Sequence, residues 1–216
     1  DEYFTFYKQI KETVMEDIKS KLGFQNFNNM SMEEFDIDNK YKGLPSKDIY
    51  HHSNKGRTFV SIDMKKANFS SLKHFDPTIF DNKNTWEEYL SQFTDNEYII
   101  GSKYIREVIF GNCNPKRQTS YEKYLMSILL SHLGDIVENI PIVFVSNDEI
   151  IFDITDSFTN EQEENEFLQH ITTVVSAESV PFRVEKFKLK EIIDTNNNNK
   201  VLGYLRCFDD GNFDLR

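Results

Sequence analysis

Asp63, Asp148 and Glu149 stand in the chain where metal-assisted phosphoryl chemistry would need them. Asp63 closes the run Thr58-Phe59-Val60-Ser61-Ile62-Asp63. Asp148 and Glu149 interrupt a second run, Pro141-Ile142-Val143-Phe144-Val145-Ser146-Asn147-Asp148-Glu149-Ile150-Ile151-Phe152. Both runs are rich in β-branched and aromatic residues, the composition of buried strands. Two such strands lying side by side would gather the three carboxylates into one oxygen-only cluster. Such a cluster suits Mg²⁺ (or Mn²⁺), which takes carboxylates and fills its remaining positions with water and phosphate. Ions held in that way clamp the attacking and leaving oxygens of a phosphoryl transfer. Nucleotide chemistry is therefore the expectation.

The elements that must position these carboxylates follow from periodicity. Phe6, Ile10, Val14, Ile18 and Leu22 recur at i, i+4 and predict a helix over 3–22, with Gly23 as its stop. Residues 24–57, rich in Asn, Asp, Ser, Gly and Lys, read as a long loop. A strand is expected at 58–63 and a short helix from Trp86 to Phe93. Tyr98-Ile99-Ile100-Gly101 fits either a strand end or a helix start. Helical spacing returns at Tyr104, Ile105, Val108 and Ile109, and again from Ser120 to about Ile136. Strands at 142–146 and 149–154 flank a turn at Asn147-Asp148. A further helix is expected from Glu161 to Ser176, with acids in its first turn as the helix dipole favours. Extended segments follow from Phe182 to Leu189 and from 201 to 208, separated by a polar tip at Asn196–Asn199.

That order predicts an α+β fold: a ferredoxin-like, split βαβ sheet, antiparallel, with helices on one face. An N-terminal helix and loop, residues 1–57, would precede a domain over 58–216. In this topology the first strand lies beside the hairpin, which sets Asp63 next to Asp148 and Glu149.

The same residues carry a resemblance. Asp63-Met64-Lys65-Lys66-Ala67-Asn68-Phe69 looks like the first metal-binding motif of reverse-transcriptase-type polymerase palms. Ser146-Asn147-Asp148-Glu149 resembles their catalytic hairpin. Val201-Leu202-Gly203-Tyr204 is similar to the hairpin that holds the primer end, and Lys186, Lys188 or Lys190 would stand for the palm lysine before it. The Ser-Asn-Asp-Glu run is also similar to the hairpin of tRNA-guanylyltransferase-like palms. The likeness covers roughly residues 58–208. It implies a palm-type nucleotidyltransferase that uses Mg²⁺ or Mn²⁺ at Asp63, Asp148 and Glu149. Nucleic acid and a nucleoside triphosphate would be its partners, with further subunits or flanking domains possible. Lys103, Arg106, Lys116 and Arg117 are the cations expected to meet the triphosphate, since guanidinium forks match phosphate oxygens.

Composition bounds these readings. The chain has 216 residues, with 19 Phe and 10 Tyr, enough for a sizeable core. Its net charge is −11, which excludes a strongly cationic nucleic-acid binder. No Lys or Arg occurs between Tyr124 and Phe182, a stretch that includes Asp135, Glu138, Asp148, Glu149, Asp153 and Asp156. No apolar run reaches the roughly 20 residues of a membrane span. Asp1-Glu2-Tyr3-Phe4 lacks the features of a signal peptide, so a cytoplasmic or nuclear setting is expected. Cys113 and Cys207 have no metal-ligand spacing and read as free thiols of a reducing compartment. His132, on an apolar helix face, reads as a core histidine. Two other functions compete with the enzyme: a catalytically inactive palm-like or ferredoxin-like scaffolding domain, and an RNase-H-like, Mg²⁺-dependent nuclease. In the first, Asp63 is a strand-end residue and Asn147-Asp148 a tight turn. The second also begins with a strand carrying Asp but wants its next carboxylate on a helix.

Overall fold

A computed structural model describes residues 2–31, 33, 43–134, 138–197 and 200–216. Residues 34–42 of the expected loop, Ile136 at the expected helix end, and Asn198 and Asn199 lie outside these. The chain forms two compact units, each discontinuous in sequence. The first comprises Asp1–Asp36 and Lys66–Leu125, the second Ile37–Lys65 and Met126–Arg216. Both cut across the expected boundary at residue 57.

The first unit is helical among its described residues. The i, i+4 pattern forms α1 (Glu2–Ser20), which buries Ile10, Val14 and Ile18. Gly23 does not end it. It lies inside α2 (Leu22–Asn29), a helix in the stretch read as loop. A Cβ at Gly23 would collide with the Asp76 carboxylate, so the glycine leaves room for that side chain instead of ending a helix. After it come α3 (Ala67–Phe75), α4 (Trp86–Leu90), α5 (Glu97–Ile100) and α6 (Lys103–Gly111). Tyr98-Ile99-Ile100 thus belongs to a helix, started by Asn96, whose side chain accepts from Tyr98 N and Ile99 N. Aromatic rings fill this unit: Phe69 on Phe80 at 4.6 Å, Phe80 on Tyr89 at 5.2 Å and Trp86 on Phe110 at 5.2 Å. The long helix α7 (Pro115–Leu133) starts here and ends in the second unit.

The second unit holds one antiparallel sheet of six strands: β1 (Thr58–Met64), β2 (Ile142–Val145), β3 (Glu149–Asp153), β4 (Phe182–Asp194), β5 (Lys200–Phe208) and β6 (Phe213–Leu215). Their order is β2-β3-β1-β4-β5-β6. The fold is α+β, as expected, and β1 lies between the hairpin and the strand that follows it. Strand β4 runs further than its alternating pattern suggested, and β6 carries no strand signal of its own beyond three residues. Helix α8 (Glu161–Ser176) matches its expected bounds, its N-cap Asn160 accepting from Glu163 N.

Alternation along β1 sends Val60, Ile62 and Met64 to one face and Phe59, Ser61 and Asp63 to the other. Five of these six are buried, with Asp63 the exception. On the Phe59 face, Ile49, Phe59, Ile151, Phe187 and Leu189 form a core, packed by Tyr50, Phe144, Tyr204 and Phe208. Residues 43–57 are tied down over it by Val145 N to Pro45 O (2.7 Å), Gly56 N to Leu189 O (2.8 Å) and Leu189 N to Arg57 O (3.0 Å). His132 is half exposed and meets Glu178 at 2.7 Å, so it is not a core histidine.

Arg57 closes the far end of β1 and β3 by donating from Nε to Asp153 Oδ2 at 2.6 Å. Burial pushes the Asp153 carboxyl up, but Arg57 and the two Thr155 donors more than offset it and hold it below its usual 3.8. A depressed carboxyl stabilises the fold at pH above its ordinary value and loses that contribution as pH falls through it. The urea midpoint of the wild type should therefore drop more steeply than that of Arg57→Gln between about pH 5 and pH 2. Equal slopes would show that the pair contributes nothing. Gly23→Ala should cost about 1–3 kcal/mol in the same assay through overpacking against Asp76.

Candidate functional site

The register of three strands builds the acidic corner. Asp63 on β1 lies directly opposite Glu149 on β3 and directly opposite Arg183 on β4. Cross-strand partners point to the same face, so Glu149, Asp63 and Arg183 form one row across the sheet. Asp148 occupies the tight turn between β2 and β3, and its carbonyl accepts from Met64 N at 2.8 Å. Ser146 organises that turn. Its Oγ accepts from Glu149 N at 2.9 Å and donates to Asp148 Oδ1 at 2.9 Å. The three expected carboxylates are thus brought to one end of the central strands.

They are not equivalent. Glu149 receives both ends of a guanidinium fork, Arg206 Nη1 to Oε1 at 2.6 Å and Nη2 to Oε2 at 3.2 Å. The Arg206 side chain is only 4% exposed. Its Nε donates to Tyr50 Oη at 2.9 Å, and its guanidinium lies 4.7 Å from the Phe187 ring centre. Burial alone would lower the Arg206 pKa, and the bonds to Glu149 and Tyr50 raise it above its ordinary value. Asp63 is 26% exposed and accepts from Arg183 Nη2 at 3.0 Å. Burial, opposed by Arg183 and reinforced by the charges of Glu149 and Asp148, pushes the Asp63 carboxyl up to about 6. A carboxyl in that condition gains from any added positive charge.

The four expected triphosphate cations lie in the first unit, whereas the carboxylates lie in the second. Lys103 is exposed on α6 and pairs with Glu107 at 3.5 Å. Arg106 is buried on the same helix, its Nε without a hydrogen-bond partner among the described residues, and burial lowers its pKa. Lys116 is exposed in the first turn of α7. Arg117 Nη1 donates to Met30 O at 2.7 Å, which caps the end of α2. Lys186, Lys188 and Lys190 alternate onto the sheet face opposite Arg183, where Lys186 pairs with Glu164 of α8 and with Asp209.

Sequence reasoning missed Arg183, Arg206 and Tyr50, and named Ser146 only as part of the hairpin run. Arg206 did leave a signal, a charged residue inside the apolar run Tyr204-Leu205-Arg206-Cys207-Phe208. Arg183 left none, because its partner is fixed by register alone.

Among the described residues no group of three or more His, Cys, Asp or Glu is arranged to hold a metal ion. Glu149 has both oxygens taken, while Asp63 and Asp148 offer hard oxygens at a partly exposed corner. One oxygen of Asp63 is engaged by Arg183 and one of Asp148 by Ser146. Among the described residues no helix is long and apolar enough to cross a membrane. No family model and no curated protein matches the chain.

Removing one member of a buried ion pair leaves an uncompensated charge. Arg206→Met should cost about 3–5 kcal/mol in urea denaturation, and adding Glu149→Leu should recover most of it. Additive effects of the two changes would show that the pair is not coupled.

Proposed function

We propose that the second unit is a ferredoxin-like palm that performs Mg²⁺- or Mn²⁺-dependent nucleotidyl transfer to a nucleic-acid end. The observation that supports this most is the row Glu149–Asp63–Arg183 beside Asp148, since it draws carboxylates from sequence-distant strands to one partly open corner. Asp63 and Asp148 would hold the ion, and Glu149, locked by Arg206, would be a fixed negative neighbour. A bound divalent ion supplies charge stabilisation and alignment for the displacement at phosphorus. The protein's own work is placement. The Ser146 hydroxyl fixes the Asp148 carboxylate, and the paired strands fix the Asp63 backbone. A raised Asp63 pKa matches a group whose charge is completed by a cation.

A second reading draws on a different observation. Asp63 and Glu149 each have an arginine partner, which is how a palm-like module without chemistry would neutralise inherited acids. It would then serve assembly.

Calorimetric titration of Mn²⁺ with a nucleoside triphosphate separates the two. The enzyme reading expects binding in the wild type and a loss of at least about tenfold in Asp63→Asn and in Asp148→Asn. Undiminished binding in both variants overturns it. Extension of an end-labelled oligonucleotide by the wild type would then set the reaction class.

A further inference from the structure

The corner carries two guanidinium groups in very different states. Arg206 is buried and held by Tyr50 and by both oxygens of Glu149. Arg183 is half exposed. Its Nη2 reaches Asp63 Oδ2 at 3.0 Å, and its Nε lies 3.2 Å from Glu185 Oε2. Among the described residues each acid receives one such contact from Arg183, so neither grips the fork with two parallel bonds. Exposed pairs of this type are weak and exchange readily. A guanidinium of five donors binds phosphate oxygens better, because phosphate accepts the fork in bidentate fashion.

Resting on the nucleotidyl-transfer reading above, we propose that Arg183 is an exchange residue: it neutralises Asp63 in the free protein and transfers to the phosphates of an incoming triphosphate, which releases Asp63 to a divalent ion. The position of Arg183 argues for this role. It stands directly across from Asp63 on the neighbouring strand, so a side-chain rotation suffices for the transfer and no strand has to move. Glu185, two residues along the same face, gives the guanidinium a second resting partner. The device couples the two ligands. An ion alone competes with Arg183 for Asp63, whereas an ion arriving with phosphate does not. Arg183 is a binding and positioning residue in this scheme and takes no proton.

The test uses Mn²⁺ alone and inorganic tripolyphosphate alone, so that neither readout depends on turnover. Free Mn²⁺ is followed by electron paramagnetic resonance, and tripolyphosphate binding by calorimetry in metal-free buffer. Arg183→Gln should bind Mn²⁺ about three- to tenfold more tightly than the wild type. It should bind tripolyphosphate at least about fivefold more weakly. Lys188→Gln removes the same charge from the opposite face of β4 and should leave tripolyphosphate binding near wild type. Arg183→Lys, which keeps the charge and loses the fork, should fall between the wild type and Arg183→Gln and guards against a folding defect in the latter. Unchanged or weaker Mn²⁺ binding by Arg183→Gln, with the wild type binding, overturns the exchange role and leaves the nucleotidyl-transfer reading standing. Unchanged tripolyphosphate binding overturns the transfer to phosphate. A wild type that binds Mn²⁺ neither alone nor with a nucleoside triphosphate overturns both.

Discussion

The Arg206–Glu149 pair is the constraint around which the second unit is arranged. A buried guanidinium is costly unless every charge around it is answered, and here the answer comes from three elements. β3 supplies the carboxylate, residues 43–57 supply the Tyr50 hydroxyl, and β4 supplies the Phe187 ring. Each is placed by the apolar packing of Ile49, Phe59, Ile151 and Leu189 on the same face. The pair therefore fixes where residues 43–57 sit on the sheet, and it fixes the first residue of β3. Glu149 in turn sets the negative field felt by Asp63. One interaction thus links the stability of this face to the acidic corner.

A division of labour follows along the row of acids. Glu149 is committed to structure, with both oxygens occupied, and Asp148 is oriented by Ser146 within its turn. Asp63 combines partial exposure with a strongly raised pKa. The arginine paired with it, Arg183, is the less firmly held of the two at the corner. Fixed charges and an exchangeable charge thus occupy neighbouring strands of the same sheet.

How much of this was legible in the sequence depends on the range of the interaction. Local patterns were readable: the i, i+4 repeat of α1, the acids opening α8, and the β-branched runs that became β1 and β3. The adjacency of Asp63 to Glu149 was also readable, because a hydrophobic run ending in Asp and a hairpin bearing Asp-Glu have few ways to pair. Misreadings arose where tertiary contact outranks local preference. Gly23 looked like a stop, but Asp76, distant in sequence, demands it. His132 has an apolar neighbourhood in sequence, yet Glu178 draws it outward. Lys103, Arg106, Lys116 and Arg117 are grouped by the palm resemblance, and their surroundings give them separate employments: a helix-surface pair, a buried guanidinium, an exposed lysine and a cap on α2. Arg183 and Arg206 could not be assigned without the register of β4 and β5, which no single segment encodes.

The interleaving of the two compact units has a consequence for how the chain acquires its structure. β1 is the central strand, but its partners are far downstream; Arg183 follows Asp63 by 120 residues and Asp153 follows Arg57 by 96. During synthesis β1 must wait, unpaired, while the helical segment between residues 66 and 125 is made and begins to condense. Loops of that length make sheet closure slow compared with local helix formation. The apolar run Thr58–Ile62 is then a strand without a ladder, open to the wrong neighbour until the hairpin and β4 arrive.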